Sequence, residues 1–494
     1  MTLFSVFAFV LFFFMLVHVF CADKIHAAAH HAPPGSLQHN VLEFLGETEA
    51  VPMVWAGLFF AGLAITHGYS AAVHHIESRS FIESIFIVVI MSVAATAPIV
   101  RLAQDGIGLA ARGLAKITGV GRAHTEMFSI LVLGSLAGSF ITEPAAITLA
   151  ATLLAKRFYR HGLSERLAYL GLGVLLTNVS IGGALTPFAA PPVLMVADAW
   201  NLDMATMVGT FGWKAAVACV INATFVIALF RKELAGITIN DDHSTPAFPK
   251  WLTASYLATM GFVVCNSHHP VVLVPTLLAF MVWDWATFEF RLPPAERATY
   301  LANGGGEHPD RGWMNIRPGL LVGLFLAGLV VLCPEQEPWI KPAMSGFEPT
   351  ALFWLTAALT TITDNAALTA LGKVIGFEGL SRVAVVAGAL AGGGMTPMAN
   401  APNPAGIAIL RPHFPHGSVS VGKLALAATI PTLAAACCLW LLPSITLGTP
   451  LAQAEAADPH DEEVCPPPPE LVCPDGSQPH PARGPSRPIG MTAH

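Results

Sequence analysis

The sequence predicts an all-α polytopic membrane protein with two inverted-topology repeats, each containing a re-entrant hairpin and a discontinuous helix. The first observation is composition, because 54% of the 494 residues are hydrophobic and only 12% are charged. Soluble domains carry about 25% charged residues, and several apolar runs here reach the roughly 20 residues that a spanning helix requires. The second observation is a two-part motif that occurs twice and places an acid inside an apolar stretch both times.

The motif begins with Ile141-Thr-Glu-Pro-Ala-Ala-Ile-Thr148, which corresponds to Ile362-Thr-Asp-Asn-Ala-Ala-Leu-Thr369. Each copy is followed by a run of glycine, Thr-Pro and alanine or proline, at residues 182–192 and 393–402. A two-part pattern that recurs in the same order indicates an internal duplication rather than chance composition.

The first repeat covers residues 1–230. Its apolar segment at 3–20 is expected to be a retained helix, because a signal peptide carries a basic residue before its apolar run and this segment does not. Residues 21–51 are expected to form a loop. The stretch from 101 to 122 has charged residues among alanines and glycines, which predicts an amphipathic helix on the surface. The other apolar segments are expected at about 52–73, 81–100 and 208–230.

Two short apolar arms, at about 127–140 and 145–156, flank Thr142-Glu143-Pro144. Neither arm spans alone, and a continuous helix would put an acid and a helix-breaking proline deep in lipid. A re-entrant hairpin over about 127–156, with its tip buried in protein, avoids this problem. The following span at about 166–199 is interrupted by glycines and prolines, which predicts a broken helix that lines a site.

A polar linker at 231–250 precedes the second repeat, which covers 251–442. This repeat follows the same plan, with a hairpin at about 349–377 and a broken helix at about 381–410. Its remaining apolar segments are expected at about 251–266, 270–288, 317–333 and 421–442. The proline-rich tail at 443–494 is expected to be disordered.

Each repeat contains five spans besides its hairpin, and an odd number of spans requires the second repeat to be inverted. This arrangement also puts the loops rich in Lys and Arg on one side of the membrane, in agreement with the positive-inside rule. The first hairpin is therefore expected to enter from the cytoplasm and the second from outside.

Inverted repeats with broken helices bring ion sites together near the midplane, so Glu143 and Asp364 are expected to point into one space. A carboxylate buried without a partner favours its protonated form. Each acid can then hold a proton when no cation is bound, and a cation such as Na+ when it is deprotonated. Neighbouring side chains supply the neutral oxygens that suit a hard cation, and these are Thr142, Thr363, Asn365, Thr186, Thr396 and Asn400.

A structural role is the alternative for either acid, in which its side chain caps the helix that follows the tip. Because Pro144 directly follows Glu143, capping is expected more for Glu143 than for Asp364.

The second tip, Asp364-Asn365-Ala-Ala-Leu-Thr369, resembles the Asp-Asn-x-x-x-Thr hairpin signature of NhaD-type sodium/proton antiporters in the ion-transporter superfamily. The Gly-x-x-Thr-Pro loops are similar to the unwound helices of that superfamily, and the layout over about 50–442 is most similar to its Na+/H+ antiporter branch. The resemblance implies a moving transport domain, a dimerising scaffold and hence a homodimer. Glu143-Pro144 departs from the family pattern, which has Asn or Ser-Asn at the first tip.

We therefore expect an antiporter of sodium (or another cation) and protons that works by alternating access in the inner membrane of the cell. It is expected to need no cofactor besides the transported cation, to have no catalytic residues and to bind no nucleic acid. A Na+-coupled carrier of a small anion such as a dicarboxylate is the alternative, although two acidic tips would repel an anion. A membrane di-iron enzyme is a remote alternative, because of the nineteen histidines only His26, His30 and His31 have the spacing of a histidine box.

Overall fold

The computed structural model describes residues 3–29, 31–239, 248–292, 297–298 and 316–445. Every regular element within these ranges is helical, as the sequence predicts. Residues 240–247 of the polar linker and 446–494 of the tail lie outside the described residues. The first three residues of the tail are described and pack against the helices, since the Ile445 N–H donates to the Gly209 carbonyl at 2.9 Å.

The helices of the first part of the chain are α1 (Leu3–Ala29), α2 (Leu37–Gly46), α3 (Val51–His67), α4 (Tyr69–Glu77), α5 (Ile82–Ala94), α6 (Ala97–Thr118), α7 (Arg122–Ser129), α8 (Gly138–Ile141), α9 (Glu143–Arg157), α10 (Glu165–Gly182), α11 (Pro191–Ala197), α12 (Met204–Met207), α13 (Trp213–Leu229) and α14 (Arg231–Ala235). The described helices after the linker are α15 (Lys250–Cys265), α16 (Pro270–Ala286), α17 (Arg317–Leu332), α18 (Glu337–Met344), α19 (Pro349–Thr360), α20 (Asn365–Ile375), α21 (Gly379–Gly392), α22 (Asn403–Leu410) and α23 (Val421–Leu441).

The loop expected over 21–51 is wrong for most of its length. Helix α1 continues to Ala29 because the stretch after Cys21 is rich in alanine, the strongest helix former. A second helix, α2, begins after Ser36, whose side chain accepts the His39 N–H at 3.1 Å and so caps the helix. Only short turns remain from the expected loop.

Six helical segments of the described chain are long and apolar enough to cross a membrane, and these are Phe4–Ala22, Arg122–Ile141, Glu165–Leu185, Met204–Leu229, Arg317–Met344 and Val421–Leu441. The number rises to eight if two bent pairs each count as one span. Helices α2 and α3 meet at 103°, and α5 and α6 meet at 66°. The amphipathic helix expected after 101 corresponds to α6, which begins at Ala97. The protein is thus a multi-pass membrane protein.

The first arm of the first hairpin is longer than expected. The sequence predicts an arm at about 127–140, whereas the helical path runs from Arg122 to Ile141 and is 20 residues long. The helix starts early because the buried carboxylate of Glu126 pairs with Arg157 at the end of α9. This ion pair joins the open ends of the two arms. The re-entrant path of the hairpin stays a prediction.

The second arm of each hairpin packs against the second segment of the other half's broken helix. Helix α9 contacts α22, and helix α20 contacts α11. A pseudo-two-fold relation between two repeats would produce such a reciprocal exchange. The inverted repeats and the domain boundaries stay predictions, but this packing brings the two tips to a common junction. Helix α10 is buried from Leu167 to Gly182 and forms the centre of the core beside that junction.

Candidate functional site

The first tip consists of Thr142 in a strained conformation, followed by Glu143 at the first position of α9. Thr142 has φ 71° and ψ 154°, a region almost restricted to glycine that costs another residue about 1–3 kcal/mol. The turn places Glu143 at a helix N-terminus, where the helix dipole favours a negative charge. The exposed fractions of Thr142 and Glu143 are 1% and 0%. Strain next to a fully buried acid is typical of a functional site rather than of an ordinary turn.

Glu143 is bound by a side chain from the other half of the chain. Asn400 Nδ2 donates to Glu143 Oε2 at 2.9 Å, so two residues of the predicted site are in direct contact. The second carboxylate oxygen, Oε1, has no hydrogen-bond partner among the described residues. It lies so close to Gly183 that a methyl group there would come within 2.7 Å of it. Burying an unpaired carboxylate oxygen is costly, and a proton or a cation bound there would offset that cost.

The second tip holds its acid in another way. Asp364 is the N-cap of α20, and its Oδ1 accepts the N–H groups of Ala366 at 2.8 Å and Ala367 at 3.4 Å. The expectation that capping favours Glu143 over Asp364 is therefore wrong. The N-cap of α9 is Thr142, which makes no side-chain cap bond. Because the turn at Thr142 precedes the acid, Glu143 lies one position inside the helix and cannot act as its cap.

Two of the predicted oxygen ligands hold the unwound loops against the hairpin tips. Thr186 Oγ1 donates to the Ser139 carbonyl, and Thr396 Oγ1 donates to the Thr361 carbonyl, both at 2.7 Å. The threonines of the repeated Thr-Pro motif thus make equivalent bonds in the two halves. Their hydroxyl hydrogens are used, and only the oxygen lone pairs are left for a cation.

The Asn365 side chain is fully buried, and its amide nitrogen and oxygen both lack a hydrogen-bond partner within the described part of the chain. Its backbone N–H donates to the Ala399 carbonyl at 3.2 Å, which ties the second tip to the second unwound loop. Thr363 Oγ1 donates to the carbonyl of Asp364 at 3.3 Å. The amide of Asn365 is therefore available to a ligand, whereas the hydroxyl hydrogen of Thr363 is already used within the tip.

Two cavities adjoin the tips. The larger, of about 590 Å³, is lined by Thr142 of the first tip. The smaller, of about 60 Å³, is lined by Thr363, Asp364 and Asn400. Asn400 binds Glu143 and also lines the cavity of Asp364, so it links the two acids. The structure thus brings the residues of the predicted site to one junction, where they form two adjoining parts.

The sequence analysis does not identify Glu49, an acid in the turn between α2 and α3. Glu49 lines both cavities, although the sequence places it in an expected loop. One signal was present, because Glu47 and Glu49 directly precede the apolar run that begins at Val51. An acid also precedes an apolar arm at each hairpin tip.

The histidines make separate contacts away from the tips. His75 Nε2 lies 3.1 Å from Glu335 Oε1, and Trp55 Nε1 donates to His18 Nδ1 at 3.0 Å. In the described ranges, no group of three or more His, Cys, Asp or Glu side chains could hold a metal ion. These contacts give no support to a di-iron enzyme.

Comparison with known proteins identifies a family. The chain matches the model of a family described as "Putative Na+/H+ antiporter" over residues 3–302 and 307–442. Among solved structures, it is similar to the YdaH transporter of Alcanivorax borkumensis, with 13% sequence identity and a TM-score of 0.44. That similarity covers 79% of this chain and 96% of the other. No curated protein matches the sequence.

Proposed function

The chain belongs to this family of Na+/H+ antiporters, and we propose that it exchanges Na+ for protons at the junction of its two hairpin tips. Membership of the family makes it a secondary active transporter and not an enzyme. The observation that carries the assignment of the site is the buried carboxylate of Glu143, which bonds to Asn400 of the other half and keeps one oxygen unpaired.

Competition for carboxylate oxygens supports exchange rather than simple binding. A proton and Na+ each neutralise the same charge, so a buried carboxylate that holds one excludes the other. Oxygen ligands beside Glu143 are available, because Thr142 Oγ1 and Asn400 Oδ1 have no partner among the described residues. Oxygen is the ligand type that hard cations prefer.

Asp364 supplies the second charge of the proposed site. Two backbone N–H groups and the N-terminus of α20 stabilise its carboxylate, and one face of the residue reaches the smaller cavity. It is therefore the acid that meets a cation arriving through that cavity. Asn400, which lines the same cavity and contacts Glu143, connects it to the first tip.

Alternating access would occur by movement of the tips and broken helices against the remaining helices. The bonds from Thr186 and Thr396 keep each unwound loop with its hairpin, which supports the movement of these elements as one body. We place the protein in the inner membrane of the cell as a homodimer, as the resemblance implies. Chemical crosslinking in native membranes, followed by measurement of the mass of the product, tests the dimer.

The test of the function uses purified full-length protein in proteoliposomes with an imposed pH gradient. Added Na+ should dissipate the gradient and choline should not, with Li+ and K+ measured alongside to define the cation. The variant Asp364→Asn should lose Na+-dependent proton movement. It should still fold, because Asn caps helices about as well as Asp. Exchange at the wild-type rate in this variant would remove Asp364 from the mechanism.

Competition also fixes the direction of the pH dependence. The apparent KM for Na+ should rise as pH falls, because more of the carboxyl groups are then occupied by protons. The measurement covers about pH 6 to pH 9, on both sides of neutrality. A KM for Na+ that stays constant over this range would contradict competition at a common site.

A further inference from the structure

Glu49 occupies the turn between α2 and α3, where the chain bends by 103°. Thr48 Oγ1 donates to Glu49 Oε2 at 3.0 Å, and the residue is half-buried. The hydroxyl fixes one oxygen of the carboxylate. The acid is therefore held in place within the turn and is not a freely rotating surface side chain.

Among the described residues, Glu49 is the one that lines both cavities beside the tips. The larger cavity also contains Glu47 and Arg317 in its lining and reaches Thr142 of the first tip. The smaller cavity leads to Asp364. Glu49 therefore lies where the linings of the two cavities meet.

The lining of each cavity includes a residue with an unpartnered side-chain oxygen. Thr142 Oγ1 belongs to a residue that is 1% exposed and lines the larger cavity. Asn400 Oδ1 belongs to a residue that is 0% exposed and lines the smaller cavity. Neither oxygen has a hydrogen-bond partner within the described ranges. Buried polar groups are generally satisfied, so each oxygen marks a position where a ligand could bind.

We propose that Glu49 is a third cation-binding residue, which receives the cation in the larger cavity and passes it to Asp364 in the smaller one. Glu49, Glu143 and Asp364 do not form a single metal-binding group in the described chain, so the proposal gives Glu49 a position on the path to the site rather than in a three-acid site. This inference rests on the proposed function, because it concerns the path to the same site.

The test measures the KM for Na+ and the maximal exchange rate in proteoliposomes. Glu49→Gln keeps the shape of the side chain and removes its charge. The KM for Na+ should rise about tenfold, the size expected for one partly screened charge near the ion, while the maximal rate stays within about twofold of wild type. Glu49→Asp should restore most of the affinity, because the charge returns on a shorter side chain.

The matched control is Glu43→Gln on α2. Glu43 carries the same charge and lies 3.6 Å from Arg317, but it is absent from the linings of both cavities. The KM of this variant should stay within about twofold of wild type, since a partly exposed charge that lies outside both cavities and is paired with Arg317 is screened. An equal KM in the Glu49→Gln and Glu43→Gln variants would overturn the inference.

The experiment also separates this inference from the proposed function. If Asp364→Asn exchanges Na+ like the wild type, the proposed site itself is wrong. If Asp364→Asn is inactive and Glu49→Gln has an unchanged KM, only the role of Glu49 is wrong. A loss of folded Glu49→Gln protein is detected by size-exclusion chromatography. In that case, Glu49→Ala decides the question, because it removes the charge and leaves no polar group to be buried. Folded Glu49→Ala protein with a KM raised about tenfold supports the role, and folded protein with an unchanged KM contradicts it.

Discussion

The two hairpin tips share a plan and treat their acids differently. Glu143 is fully buried, receives one side-chain N–H from Asn400 and keeps one oxygen unpaired. Asp364 reaches a cavity and accepts two backbone N–H groups of its own helix. Backbone amides at a helix N-terminus stabilise a carboxylate charge, whereas a single side-chain amide leaves more of that charge uncompensated.

This difference indicates that the acids of the two duplicated tips have different roles in the proposed exchange. In the proposed mechanism, Asp364 receives a cation from the smaller cavity in exchange for a proton. In the same mechanism, a proton or a cation neutralises the free oxygen of Glu143, whose other oxygen is bound by Asn400 of the other half. The two duplicated tips are therefore not identical. The strained backbone at Thr142 puts Glu143 at the first position of its helix, whereas Asp364 is the N-cap of its helix.

Among changes outside the two acids, the largest expected effect comes from Gly183→Ala in the first unwound loop. The added methyl group would lie 2.7 Å from Glu143 Oε1 and 2.9 Å from the Cβ of Ala190, so the carboxylate must move away from its free position. Na+-dependent proton movement should fall at least about tenfold, as expected for a displaced binding group.

The control for this variant is Gly261→Ala, because a Cβ there meets no atom within 4 Å. This helical position should accept alanine with unchanged exchange and a slightly higher melting temperature. Equal exchange rates in the two variants would show that the free oxygen of Glu143 plays no part in transport.

A smaller effect, on protein stability, is expected from the different backbone conformations of the two tips. Thr142 has a positive φ, and its counterpart Thr363 does not. At 142, glycine should be more stable than alanine by about 1–3 kcal/mol, because the strain is relieved. At 363, the order should reverse, with glycine less stable than alanine by about 0.5–1 kcal/mol. Thermal unfolding of the four variants in detergent checks both orders, and alanine more stable than glycine at both positions would show that the first tip is unstrained.

The smallest expected effect concerns the cap at the second tip. Asp364→Ala removes the cap and the charge, whereas Asp364→Asn removes only the charge. Both should be inactive in exchange, but the alanine variant should be less stable by about 1 kcal/mol. Melting temperatures of the two variants measure this difference. Identical values would mean that the bonds to Ala366 and Ala367 do not contribute to stability.

The duplicated motif marks both tips and both unwound loops, and the structure brings these elements into contact. Thr186 and Thr396 illustrate this, since one sequence motif gives one bond in each half. The backbone of Thr142 was not predictable, because no local rule assigns a positive φ to a threonine before Glu-Pro. The sequence alone therefore predicts Glu143 to be the better helix cap, whereas the structure has Asp364 as the cap.

Glu49 could not be assigned from the sequence for a different reason. Its place in the linings of both cavities depends on residues that are distant in the chain, and the acids before the apolar run at Val51 do not by themselves predict that packing. The early start of the first hairpin arm is similar, because it depends on the pairing of Glu126 with Arg157 across the hairpin. Local periodicity predicts helices well, but partners that are distant in the chain determine their ends.

Proton release on cation binding tests most directly whether Na+ and protons compete for the acids of the tips. Purified protein in weakly buffered detergent solution receives NaCl or choline chloride, and a pH indicator records the protons released. We expect Na+ to release protons from the wild type and choline to release none. The double variant Glu143→Gln, Asp364→Asn should release none with either salt. Proton release by the double variant equal to that of the wild type would contradict the account, as would a wild type that binds Na+ and releases no protons.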